Sequence, residues 1–155
     1  MSHSAKSDWD GFKIRYLLYL GLILLTICSC NRHHSKESVE AAMKQYDQLI
    51  HKMDAAGIAQ LFTADGELGN MAKGRDSIRK FLSSFKNVEV LSQVSAFKSV
   101  RIKEDTAWLR GTYWQTDVVD KKDTLKLKGT YQSKWYWNKE DEQWHIRQII
   151  TEPVK

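Results

Sequence analysis

Glu67 and Asp117 are the carboxylates of this sequence best suited to moving a proton. A carboxylate withdrawn from water holds its proton more tightly, and beside a carbonyl compound it can then act as a general base near neutral pH. Both are marginal by position. Glu67 opens a short stretch, 67–71, that reads as a strand, and Asp117 falls only at the end of the inward-facing alternation of strand 106–118. The polar residues that share an inward parity are Tyr46, Ser92, Tyr113, Tyr131, Ser133 and Gln148. Of these, Tyr46, Tyr113, Tyr131, Ser133 and Gln148, together with Trp135, are the expected pocket lining. Ligand sites tend to be aromatic with a few hydrogen-bonding groups. Each taken singly is equally readable as a satisfied core group. His51 and His145 fall at a helix end and on an outward parity, so both read as surface residues. Neither GxSxG, HExxH, CxxC nor a glycine-rich phosphate loop occurs, and no cofactor or metal is expected.

The elements that would hold these groups follow from periodicity. Val39, Ala42, Met43, Tyr46, Leu49, Ile50 and Met53 recur at helical spacing, so 38–53 reads as an amphipathic helix capped by Ser35 or Ser38. Asp54 caps a short second helix, 55–62. Thr63-Ala64-Asp65-Gly66 reads as a turn. Residues 77–85 form a third helix with Ile78, Phe81, Leu82 and Phe85 on one stripe. Strands follow. In 88–102 the even positions from Val88 to Ile102 point inward, with a bulge expected near Ser95 or Lys98 because so long a strand usually bends. The hairpin 123–152 is the strongest signal. Leu125, Leu127, Gly129, Tyr131, Ser133, Trp135 and Trp137 alternate with polar residues, and Trp144, Ile146, Gln148 and Ile150 share the inward parity of the return strand.

One face breaks the pattern. Trp108, Arg110 and Trp114 lie opposite the inward parity of strand 106–118, where tryptophan does not normally meet water. They are the expected interface of a homodimer, since Trp and Arg favour such surfaces. The alternative is a bulge that inverts the parity and puts the two indoles in the core.

The amino terminus reads as an address. Lys13 and Arg15 precede an apolar run from Tyr16 to Ile27, the anatomy of a secretory signal and shorter than the about 20 residues a membrane span needs. The run ends in Ile27-Cys28-Ser29-Cys30, which resembles the bacterial lipoprotein signal, with Cys30 the lipidated residue. The expected division is a signal over 1–30, a tether over 31–36 and a globular domain over 37–155, facing the periplasm or exterior from a lipid anchor in a bacterial cell envelope. Both cysteines lie in this segment, so the domain has neither a disulfide nor a thiol nucleophile. The whole chain carries a net charge of +5. The charges are interspersed, which argues against nucleic acid as a partner.

The order of elements resembles the NTF2-like superfamily, and within it the SnoaL-like and DUF4440-type domains. Leu61-Phe62-Thr63-Ala64-Asp65-Gly66, Gly74-Arg75-Asp76-Ser77-Ile78, Asp105-Thr106-Ala107-Trp108-Leu109 and Trp144-His145-Ile146 carry the resemblance, which covers residues 36–152. It implies an α+β cone, a strongly curved antiparallel sheet wrapped around the long first helix in the order α-α-β-α-β-β-β-β. It also implies a pocket at the wide end and dimers through the outer sheet face. Relatives include isomerases, cyclases, hydrolases and plain binding modules, so fold alone does not give function. Because inward carboxylates are scarce, the expected role is non-catalytic binding of a small apolar ligand or a protein partner. The alternative is a SnoaL-like isomerase or hydrolase with Glu67 or Asp117 as base and Tyr46 or Tyr131 as hydrogen-bond donor.

Overall fold

A computed structural model of the chain describes residues 34–154. The signal segment, Cys30 and the first residues of the tether lie outside them. The described residues form helix α1 (Lys36–His51), helix α2 (Ala55–Leu61), strands β1 (Phe62–Leu68) and β2 (Ala72–Lys73), and helix α3 (Arg75–Leu82). Four long strands follow: β3 (Val88–Lys103), β4 (Thr106–Val119), β5 (Asp123–Asn138) and β6 (Gln143–Pro153). They make one six-stranded sheet in the order β2-β1-β6-β5-β4-β3. The sheet is mixed, because β1 runs parallel to β6. No helix among the described residues is long and apolar enough to cross a membrane.

Local chemistry accounts for most boundaries. Ser35 caps α1, its Oγ accepting from the Ser38 amide at 3.2 Å, and Glu37 sits in the first turn where the helix end is positive. Asp54 caps α2 by accepting from the Gly57 amide at 2.9 Å. Two expectations fail here. Residues 63–66 are not a turn: the chain is already extended from Phe62, because Phe62 pairs with Ile146 of β6 and is fully buried. Helix α3 starts at Arg75 and ends at Leu82, leaving Phe85 beyond it and exposed.

The sheet bends round α1 through residues that have no partner on the next strand. Leu91 and Lys98 are extra residues on β3, and Arg147 is extra on β6. Each insertion bends its strand and switches which side chains point inward. The bulge at Lys98 was expected; those at Leu91 and Arg147 were not. The consequence is a correction. Between the two β3 bulges it is Gln93, Ser95 and Phe97 that face in, while Ser92, Val94 and Ala96 are exposed. Past Arg147 it is Ile149 that is buried, and Gln148 and Ile150 are not inward. Strands β4 and β5 pair in unbroken register, and their odd positions face in as expected. Trp108 and Trp114 are therefore on the outer face, and the inverted alternative is excluded.

The core joins the inner stripe of α1 to the inward rows of the sheet: Val39, Met43 and Tyr46 against Leu109, Tyr131, Trp135, Ile146 and Ile149, with Ile58, Phe62 and Ile78 closing one side. Burying each large apolar side chain contributes roughly 1.5–3 kcal/mol. The two buried indoles have their donors satisfied. Trp135 Nε1 donates to Ser133 Oγ at 2.8 Å, and Trp144 Nε1 to Ser38 Oγ at 2.9 Å.

Candidate functional site

Around the bulge at Leu91 the inner face of the sheet runs from beside α1 to past its end. Three rows read across β3, β4 and β5: Ser95–Tyr113–Gly129, Gln93–Gln115–Leu127 and Val90–Asp117–Leu125. Between these rows, the end of α1 and the segment around Phe81 and Phe85 lies a cavity of about 420 Å³. Its lining is mostly apolar, from Met43, Ile50, Met53, Leu68, Phe81 and Leu125 among others. Polar groups enter it from Tyr46, Gln93, Ser95, Tyr113, Gln115, Asp117, Tyr131 and Thr151. No lysine, arginine or histidine is among them.

Two glycines make this wall possible. Gly111 lies opposite Tyr131 and Gly129 opposite Tyr113. A Cβ on Gly111 would collide with the carbonyl oxygen of Ala96 and lie 2.8 Å from the Tyr131 hydroxyl oxygen. On Gly129 it would lie 2.5 Å from the Tyr113 ring. Each tyrosine thus lies over a residue that has no side chain, which frees its ring to lean across the sheet.

Asp117 is buried on this wall with Val90 and Leu125 as its row neighbours. The Gln115 side-chain amide donates to both of its oxygens at 2.9 Å, and no cation pairs with it among the described residues. A carboxylate so placed is held in position by a neutral donor and can accept a hydrogen bond from a ligand. Tyr131 is buried and its hydroxyl has no partner. Burial pushes its phenol well above the usual range, and the charges of Asp47 and Glu40 add to this. Burial likewise raises Tyr46, with the charge of Asp47 second. Both phenols therefore keep their protons and can serve as donors.

Asp47 is the carboxylate that strand-based reasoning missed. It lies on α1 one position beyond Tyr46, buried against the bulged part of β3. It accepts from Gln93 Nε2 at 3.1 Å, from the Ser95 amide at 2.9 Å and from Ser95 Oγ at 2.8 Å. Burial still raises its pKa, against the pull of these bonds. The signal was available: an aspartate adjoining the helix's apolar stripe, four residues after Met43.

The other expected site residues separate into groups. Tyr46, Tyr113 and Tyr131 line the cavity. Trp135 and Ser133 are buried in the core beside it and satisfy each other. Gln148 turns away from the cavity and donates to Glu67 Oε2 at 2.8 Å. Glu67 is outside the cavity as well. Its carboxylate lies 3.0 Å from Lys73 Nζ and 3.4 Å from Arg147 Nη1. The hydrogen bond from Lys73 holds its pKa below the usual range, aided by both cationic charges. His145 is buried rather than at the surface, with Nε2 2.8 Å from Asp141 Oδ2. Among the described residues no cluster of His, Cys, Asp and Glu could hold a metal ion.

A curved sheet folded round one helix, with an apolar cavity at its wide end, defines an NTF2-like cone. The chain belongs to the SnoaL-like domain family, whose model matches residues 31–149. Solved structures agree in fold. A ketosteroid isomerase-like protein from Erwinia carotovora atroseptica superposes with a TM-score of 0.67 at 19% identity, over 81% of this chain and 98% of that one. A conserved protein from Planctomyces limnophilus does so with a TM-score of 0.67 at 15% identity, over 79% of this chain and 100% of that one. ActVI-ORFA from Streptomyces coelicolor gives a TM-score of 0.64 at 17% identity, over 76% of this chain and 95% of that one. No curated protein matches the sequence.

Proposed function

We propose that the domain binds a small, largely apolar molecule in the cone cavity and transfers a proton on it, with Asp117 as general base and the Tyr131 hydroxyl as hydrogen-bond donor. The observation that carries this reading is one wall holding a buried carboxylate without a cation and a buried phenol hydroxyl without a partner. Leaving a buried donor unpaired costs roughly 1–3 kcal/mol, and a ligand oxygen would recover it. The cationless lining favours a neutral ligand, because an anion would meet the charge of Asp117 and no counter-charge. A carbonyl compound fits Asp117, which takes a proton from the carbon next to the carbonyl. Tyr131 pairs with Gly111, six residues from Asp117 along β4 and on the order of 20 Å away, so its hydroxyl serves a different part of the ligand.

The test is deuterium exchange. A panel of cyclic enones and aromatic ketones is incubated with the protein in heavy water and followed by proton NMR, while Nile red displacement measures binding. Exchange next to the carbonyl should be lost in Asp117→Asn with displacement retained. Binding without exchange in either protein would leave the non-catalytic reading, which the scarcity of inward carboxylates favoured. Attachment of the domain to an envelope membrane through lipid on Cys30 is part of the same proposal, supported by the apolar run before Ile27-Cys28-Ser29-Cys30. Cys30→Ala should release the protein from the membrane fraction.

A further inference from the structure

The convex side of the sheet carries a charge pattern that the cavity does not use. Cross-strand rows on this side read Arg101–Trp108–Lys134–Gln148, Ser99–Arg110–Gln132–Ile150, Ala96–Thr112–Thr130–Glu152, Val94–Trp114–Lys128 and Ser92–Thr116–Lys126. These rows hold five cations (Arg101, Arg110, Lys126, Lys128 and Lys134) against one acid, Glu152. None of the five forms an ion pair among the described residues. Two of them lean on indoles instead: Arg101 lies 5.2 Å from the ring centre of Trp108, and Lys128 lies 6.0 Å from that of Trp114. Apolar side chains are exposed between the cations, Val94 at 56%, Trp114 at 43% and Ile150 at 40%. A groove of about 670 Å³ runs along the face, lined by Arg101, Trp108, Arg110 and Lys134.

We infer that this face docks on an anionic lipid surface. Three observations select that occupant. The excess of unpaired cations calls for negative charge. Indoles and aliphatic side chains interleaved with long basic ones suit the headgroup layer, where the ring or stem enters and the charge stays at the phosphates. The described chain also begins at the same end of the sheet. His34 packs on Trp137 at 5.0 Å and lies 3.5 Å from Asp105, at the strand ends three residues from Lys134 and Trp108. A second copy of the chain fits worse. A two-fold interface sets a patch against itself, so the five cations would face five others. The cavity plays no part in this inference, and its failure would leave the proton-transfer reading untouched.

The experiment mixes the full chain with vesicles of phosphatidylcholine alone or of phosphatidylcholine with phosphatidylglycerol, and measures co-sedimentation. Lys6, Lys13 and Arg15 beside the apolar run also favour the anionic vesicles, so the face is read from the difference between the wild type and variants of the face. Each basic residue near an anionic surface contributes roughly fivefold. The wild type should therefore prefer the anionic vesicles by tenfold or more, and added salt should erase the preference. The triple variant Arg101→Glu, Arg110→Glu, Lys134→Glu should lower it at least tenfold. Brominated phosphatidylglycerol should quench tryptophan emission in the wild type more than in Trp114→Phe. The quenching comparison uses a conservative change at one exposed side chain of the face, so it decides the matter even if the triple variant does not fold: equal quenching in the wild type and Trp114→Phe overturns the inference. Equal affinity for both vesicles overturns the inference. So does a triple variant that keeps the preference while shifting from dimer to monomer in sedimentation, which would assign the face to a second copy.

Discussion

The inner face of the sheet has two ends built from the same alternation, and they differ in how their polar groups are treated. At the narrow end the rows Ile102–Ala107–Trp135–Ile146 and Val100–Leu109–Ser133–Ile149 close against Val39 and Met43 of α1. Both indole donors there have acceptors. At the wide end the rows through Tyr113, Gln115 and Asp117 face a cavity, and the Tyr131 hydroxyl and Gln93 Oε1 are buried without partners. The helix fills one end and stops short of the other. A satisfied end is built for stability; an unsatisfied one is stability withheld for something that binds. Asp47 marks the join, tying α1 to the bulged segment of β3.

Breaking the narrow end should have the largest effect. Trp135→Ala should cost about 3–5 kcal/mol of stability, as expected for a fully buried aromatic, in urea unfolding. A loss well below 1 kcal/mol would mean that the end is not packed as described. Next, Gly111→Ala should cost about 1–3 kcal/mol through overpacking, because its methyl meets Ala96 and Tyr131. It should also weaken Nile red binding by displacing the Tyr131 ring.

The sharpest contrast comes from two single-hydroxyl deletions. Ser133→Ala leaves the buried Trp135 indole unpaired and should cost about 1–3 kcal/mol. Tyr131→Phe removes a hydroxyl that has no partner, so its thermal midpoint should stay unchanged or rise, while ketone binding falls. Equal losses in the two variants would erase the distinction between the ends.

The smallest effect is in pH. Burial raises the pKa of Asp47 above its ordinary 3.8. A raised carboxyl contributes stability that is fully present below the unfolded value and lost as pH rises through the folded one. Thermal midpoints of wild type and Asp47→Ala, compared from pH 3.8 upward, should therefore converge as pH rises. Glu67, held low by Lys73, behaves in the opposite sense: its contribution is present above 4.5 and lost as pH falls.

Much of this was legible in the residues. Helices α1 and α2 followed from apolar spacing and from the caps at Ser35 and Asp54. Strands β4 and β5 kept one parity throughout, so Tyr113 and Tyr131 were correctly turned inward and Trp108 and Trp114 outward. Asp117 was only a marginal candidate base because it lay at a strand end. That end is the cavity wall, since the sheet extends past the helix there.

What periodicity could not give is where it resets. One inserted residue reverses every later side chain on its strand, and nothing in the local composition at Leu91 or Arg147 announces it. Gln93 and Ser95 were therefore assigned outward and Gln148 inward, and Asp47 was left without its partners. Alternation and helical spacing are properties of neighbours along the chain, and the sequence determines them: the cone's elements, its aromatic inner face and its basic outer one. Bulge positions are decided by how far the sheet must bend to close on α1, and cavity size by where that helix stops. Both depend on residues distant in sequence meeting in space, and only the tertiary structure decided them.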